Sequence, residues 1–225
     1  MSTQSKSKLQ TGNFFEDFRL GQTIRHATPR TITHGDVALY CGLFGGRFAV
    51  PSSAAFAKAI GYPDAPIDDL LVFHIVFGKT VPDVSLNAIA NLGYAGMQFL
   101  APVFAGDTLS STSEVIGLKE NSNRKTGIVY VRTRGFKQDG TAVLEYARWV
   151  MVKKRDEATP FTLSEVPALP ERVPPEELGA AVPPLHLAGI DAAQHLRPDG
   201  LFLHPVDEGL DGGQGDVGFQ QGDAH

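Results

Sequence analysis

The chain has a single cysteine, Cys41, among 225 residues. One thiol excludes an internal disulfide and a cysteine-rich zinc site. Basic charge is also scarce: 20 Lys and Arg against 25 Asp and Glu leave a net charge of −5. With no broad basic surface, nucleic acid is excluded as the main partner. Long apolar runs are missing too. The most apolar stretch, ending at Pro82, has a core of about 15 residues, short of the ~20 a bilayer span needs. The N-terminus, MSTQSKSKLQTGNFF, contains no run of signal-peptide type. The sequence therefore predicts a cytoplasmic protein with no membrane partner. No internal repeat is visible, and the 42% hydrophobic content is ordinary for a globular chain.

What is present is one long greasy helix. In APIDDLLVFHIVFGKTVPDVSL, Ala65 to Leu86, one stripe holds Ile67, Leu70, Leu71, His74, Gly78 and Val81. Val72, Phe73, Ile75, Val76 and Phe77 load the other sides, so both faces need cover from a curved sheet or a partner. Pro66 suits a first helical position, Asp64, Asp68 and Asp69 complement the positive dipole end, and Pro82 stops the run.

Around this helix the order of elements is simple. Residues 1–12 are polar and predict a mobile tail. A strand from Thr23 to Ala27 precedes a helix capped by Thr33 with Asp36 three residues on, ending at Gly45 and Gly46. Ser52 or Ser53 caps a second short helix, AAFAKAIG. After Leu86 the period shifts from about 3.6 to 2. Four strands follow, Ile89 to Leu100, Thr108 to Leu118, Gly127 to Phe136 and Ala142 to Lys154, with a tight hairpin at Gln138-Asp139-Gly140. Apolar residues on both faces predict burial on both, one face under the helix and the other against a second sheet. Residues 157–184 read as a Pro-rich linker, and 185–225 as a disordered or weakly structured tail. The predicted class is α+β, a hot-dog domain over 13–156 in which an antiparallel sheet wraps a central helix.

FEDFRLGQTI, RTITHGDVALY and APVFAGDTLSSTSEVIGLKENSNRKTGIVYVRTR resemble pieces of MaoC-like acyl-CoA hydratases. NFFEDFRLGQTIRHATPRTITHGDVALY, LLVFHIVFGKTVPDVSLNAIANLGYAG and VLEYARWVMVKKRD resemble, more closely, the N-terminal half of the mesaconyl-CoA hydratase (β-methylmalyl-CoA dehydratase) family. The resemblance implies reversible hydration of a branched, unsaturated dicarboxylyl thioester. It implies no metal or redox cofactor, CoA being part of the substrate. Such a reaction needs a base for water, an acid for the α-carbon and donors for the enolate oxygen. Single-domain members of the wider family carry an Asp, an Asn-Pro and a His in a loop after the first helix. Alignment places Gly46, Phe48, Ala49 and Pro51 there, none of which transfers a proton. In two-domain members the acid and base lie in the second repeat. The sequence after Pro175 does not resemble that repeat, so a truncated or frame-altered product is one reading of it.

The catalytic residues are therefore left unassigned, and four residues remain as substrate-binding candidates. Arg47 suits a CoA phosphate or substrate carboxylate, against a solvated loop arginine. His74, mid-helix, is a core or interface histidine or lies near substrate. Asn91 and Tyr94 serve turn-making and strand pairing, or contact an acyl chain or pantetheine; plain alternation places Asn91 and Gly93 on one face. Gly106-Asp107 reads as turn chemistry, and no pair of histidines has metal-ligand spacing. Three functions stay open. One is the substrate-enclosing repeat of a hydratase, another a non-catalytic acyl-CoA-binding or dimerisation module or inactive fragment, and the third a hot-dog thioesterase. A homodimer, or pairing with a second hot-dog domain, is the expected assembly.

Overall fold

The computed structural model describes residues 12–46, 48–172, 174–177, 185–186 and 188. The tails predicted for 1–12 and 185–225 fall mostly outside the described residues, as does part of the predicted linker.

A 3₁₀ turn at Phe15–Asp17 opens the described fold and buries Phe15 and Phe18 under the sheet. β1 (Thr23–Arg25) and β2 (Arg30–Thr31) follow. α1 (His34–Phe44) starts where the sequence places it. The Thr33 hydroxyl accepts from the Asp36 amide at 3.1 Å, and the Asp36 carboxylate accepts from the Thr33 amide at 2.9 Å. This reciprocal box satisfies two helix-end donors. Gly45, at φ 61°, closes the helix in a left-handed conformation that few other residues adopt. α2 (Ala49–Ser52) was not expected, and α3 (Ala54–Ala59) begins at Ser53, whose hydroxyl accepts from the Phe56 amide.

The central helix, α4 (Asp69–Thr80), is shorter than the apolar run around it. Asp68 takes the N-cap, accepting from the Leu70 amide at 2.8 Å. That leaves Pro66 and Ile67 in the preceding loop, where the Ile67 amide donates to Val103 O at 2.8 Å. Pro82 does not stop the chain abruptly; a wider helical turn, Val81–Ser85, follows and carries Asp83 and Val84. Leu71, Val72, Ile75, Val76 and Thr80 are buried. Burial of each large apolar side chain contributes roughly 1.5–3 kcal/mol. Within the described residues the sheet covers one side of α4: Leu70 is 53% exposed, and His74 and Gly78 face outward, on the side the sequence leaves to a partner.

The sheet contains β3 (Ala88–Phe99), β4 (Thr108–Glu120), β5 (Thr126–Phe136) and β6 (Ala142–Lys153), within a residue or two of the sequence reading. The order is β1-β4-β5-β6-β3, with every pairing antiparallel. β2, β1 and then β7 (Ser164–Glu165) pair in succession along one side of β4, which covers that edge. β7 corrects the linker boundary. Beyond Asp156 the chain returns to the sheet, with Phe161 edge-on to Phe15 at 4.7 Å between centroids, because the aromatic start leaves apolar surface for it. A second sheet on the outer face is not found among the described residues; all seven strands join one sheet. α4 lies across the concave face, and Val76 sits where a side chain at Gly135 would stand.

Candidate functional site

Cross-strand pairing builds two rows on the sheet face beneath α4, because directly opposed residues point the same way. Ser113, Thr133 and Tyr146 form the first, and Val115, Val131, Arg148 and Tyr94 the second. A polar row and an arginine row inside an apolar core are not packing requirements, so each group's partners matter.

The first row is tied to His26. Its Nδ1 stands 2.8 Å from Asp83 Oδ2 and its Nε2 2.7 Å from Ser113 Oγ, which is 2.8 Å from Thr133 Oγ1. One set of donors fits throughout: Nδ1–H donates to Asp83, Ser113 donates to Nε2, and Thr133 donates to Ser113. Burial holds the imidazole below its ordinary 6.5, opposed by the Asp83 carboxylate and aided by the charges of Arg148 and Lys79. Both ring nitrogens are engaged and the ring is enclosed, so this histidine is a structural clamp.

Arg148 differs. It is 0% exposed, with Nη2 donating to Thr80 Oγ1 at 2.8 Å and directed at Ser85 Oγ at 3.5 Å. Thr80 passes the interaction on to Phe77 O at 2.7 Å, near the negative end of the α4 dipole. The guanidinium also lies over the Phe77 ring, 4.7 Å from its centroid. Among the described residues Nε and Nη1 have no hydrogen-bond partner, whereas the Tyr146 hydroxyl interacts with the side chains of Thr133 and Thr80. Burial pulls the guanidinium below its ordinary range, and it pushes the Tyr146 phenol up to about 12, so that hydroxyl keeps its proton near neutrality.

Tyr94 joins this cluster from the edge strand. Its ring meets Phe73 at 5.6 Å, Phe77 at 6.2 Å and Tyr146 at 6.1 Å, and it remains 39% exposed. The pairing of β3 with β6 slips between Asn91 and Gly93. That bulge corrects the predicted alternation. Asn91 pairs with Val150 on the concave face, while Gly93 turns to Trp149, whose ring passes 2.5 Å from where a Cβ would be. Asn91 and Tyr94, three residues apart, thereby come to one side.

His74 lies elsewhere. It faces an open groove of about 460 Å³ beside α4, lined by Tyr40, Phe44, Leu71 and Ile75, with Lys79 and Arg30 at its rim. Its ring sits 5.8 Å from Tyr40 and 6.2 Å from Phe44. Phe73 lies between the two regions, touching both His74 and Tyr94. Arg47 lies outside the described residues. Asp107 is a turn clamp, accepting from the Phe104 amide at 2.9 Å, Gln138 Nε2 at 3.0 Å and Lys137 Nζ at 3.0 Å. Sequence reading missed His26, Asp83 and Arg148. An ionisable residue at an inward strand position, as at Arg148, is the signal that would have found the last.

One helix held in the concave face of four long antiparallel strands defines a hot-dog domain. A Mycobacterium tuberculosis protein described as a double hot-dog fold superposes with a TM-score of 0.62 at 25% identity, over 77% of this chain and 52% of its own. The sequence profile of the mesaconyl-CoA hydratase family matches residues 3–164. The chain belongs to that family. It is 64% identical over 172 residues to the β-methylmalyl-CoA dehydratase of Chloroflexus aurantiacus, covering 76% of this chain and 49% of that one. A crystal structure from the same organism, described as a putative MaoC domain protein dehydratase, superposes with a TM-score of 0.78 at 59% identity, over 84% of this chain and 53% of that one. The chain spans about half the length of the curated relatives it matches. No helix among the described residues is long and apolar enough to cross a membrane.

Proposed function

We propose that this chain is the substrate-enclosing repeat of an acyl-CoA hydratase/dehydratase of the mesaconyl-CoA type, with acid and base supplied by a second hot-dog repeat. The observation that carries this reading is the family match over residues 3–164 set against coverage of only about half of each relative. The local chemistry supports it. Gly46, Phe48, Ala49 and Pro51 offer no proton-transfer group, and both nitrogens of His26 are occupied inside the core.

The groove beside His74 and the concave surface near Tyr94 are the places for acyl group and pantetheine. Adding water to a conjugated thioester draws on acid, base and oxyanion donors alone, so the proposed reaction calls for no metal or redox cofactor. Pairing takes place through exposed apolar surface: Leu39, Leu43, Phe44 and Leu70 beside the groove, and Ile89 and Leu92 on the open β3 edge. The second repeat, or a second copy, occupies it. The setting is cytoplasmic, in keeping with a lone thiol.

The test is to add mesaconyl-CoA to the purified chain, following binding by calorimetry and the conjugated thioester by its absorbance. Binding without loss of absorbance is expected. No binding overturns the reading. Turnover by this chain alone overturns the assignment of the acid and base to another repeat, and makes Asp36, His74 and Asp107 the first residues to substitute. A non-catalytic binding module, the second reading the loop at Gly46–Pro51 favours, is reached if adding a second repeat still gives no turnover.

A further inference from the structure

Arg148 presents a cation with no exposed surface and N–H donors on Nε and Nη1 that nothing in the described chain accepts. Among the described residues it is in no ion pair with a carboxylate; Tyr146, Tyr94 and His26 are the ionisable groups that feel its charge. Thr80, Ser85, the Phe77 ring and the end of α4 compensate the charge in part. A buried cation left in this state is costly unless something else completes it.

We propose that Arg148 is the carboxylate receptor of the acyl pocket, its unpaired donors taking the free carboxylate of a dicarboxylyl thioester that enters past Tyr94. This deepens, and rests on, the acyl-CoA reading above. Three features choose the ligand class. The vacant positions are donors, so the missing group is an acceptor. One enclosed cation balances one negative charge, which suits a carboxylate better than a doubly charged phosphate monoester. The Tyr146 hydroxyl, buried beside the Thr133 and Thr80 side chains, lies two residues along β6 on the same face and is a further donor within the cluster. Access is at Tyr94, which is opposite Arg148 on the edge strand and half-exposed, with Asn91 brought to the same side by the bulge. Arg148 is thus a specificity-determining residue: it selects an acyl group by the charge at the end of the acyl chain away from the thioester.

The experiment compares mesaconyl-CoA with tigloyl-CoA, in which a methyl stands in place of the free carboxylate, by calorimetric titration of the whole 225-residue chain. The wild type is expected to bind mesaconyl-CoA at least about tenfold more tightly, the size of one charge-assisted contact. Arg148→Met is expected to bring mesaconyl-CoA down to the tigloyl-CoA affinity and leave the latter unchanged. Arg148→Lys, which keeps charge and nearly the same volume, retains part of the preference, and Tyr94→Phe loses a few-fold of it. Thermal melts of each variant establish folding; should the Met variant not fold, the Lys and Phe variants carry the comparison. Equal binding of the two thioesters by the wild type, or an unchanged preference in Arg148→Met, overturns the proposal alone and means the donors are met by water only. Binding of neither thioester overturns the acyl-CoA reading as well.

Discussion

His26 and Arg148 are both enclosed polar side chains beneath the same helix, yet their surroundings differ in completeness. His26 has Asp83 on one nitrogen and Ser113 on the other, and Ser113 is in turn held by Thr133. Arg148 has hydroxyls and a ring on one side and, among the described residues, no acceptor at Nε or Nη1. A buried polar group that the fold fully satisfies holds elements together, here the β1 end, the turn after α4 and the sheet. One that the fold leaves open costs stability unless something else completes it. The contrast separates a cluster that the fold completes from one that it leaves open, without reference to any relative.

The strongest way to break it is His26→Ala. Removing the ring leaves a cavity and strips Asp83 and Ser113 of their partner, and about 3 kcal/mol of stability is expected to go, read by urea unfolding. A loss under 1 kcal/mol removes the structural reading of that network. Arg148→Met acts in the opposite direction. Replacing an incompletely paired buried charge by an apolar side chain of similar length is expected to change stability by about 0 to +2 kcal/mol, with the melting temperature held or raised. A large loss instead makes Arg148 a structural residue like His26.

Acid sharpens the same comparison. His26 is held below its ordinary value in the folded protein, so between that lowered value and 6.5 the unfolded chain binds more protons than the native one. Stability is therefore full above about 6.5 and falls as pH drops through that window. Melting temperature from pH 7.5 to 5.5 is expected to decline in the wild type and to decline less in His26→Gln; an equal decline shows that other groups dominate. The smallest effect serves as the calibration. Thr33→Ala removes a surface helix cap and is expected to cost about 1 kcal/mol, with no change in thioester affinity or pH response, since Thr33 touches neither cluster.

Much of the fold is legible in the residues themselves. The capping box at Thr33 and Asp36, the period-2 strands after Leu86 and the Gln138-Asp139-Gly140 hairpin each carry their own local signal, and each is found within a few residues of its expected place. The site was read less well. Tyr94 was singled out and does stand in the cluster, but Asn91 reaches its side only because the strand slips by one residue there. His74 was singled out and lies in a separate groove. His26 sits in a short strand region and Asp83 in a turn, 57 residues apart, with nothing local to link them.

By itself the sequence determined what repeats along the chain: one apolar helix, four long strands, their caps and turns, and a family kinship spread over most of their length. These depend on neighbours within a few residues, where spacing dictates conformation. Only the tertiary structure decided which face of the helix is covered, that Asn91 and Tyr94 share a side, and that Arg148 is buried with its donors unmet. Those outcomes depend on which strands lie side by side and in what register, and a shift of one residue there reverses the direction of every side chain that follows.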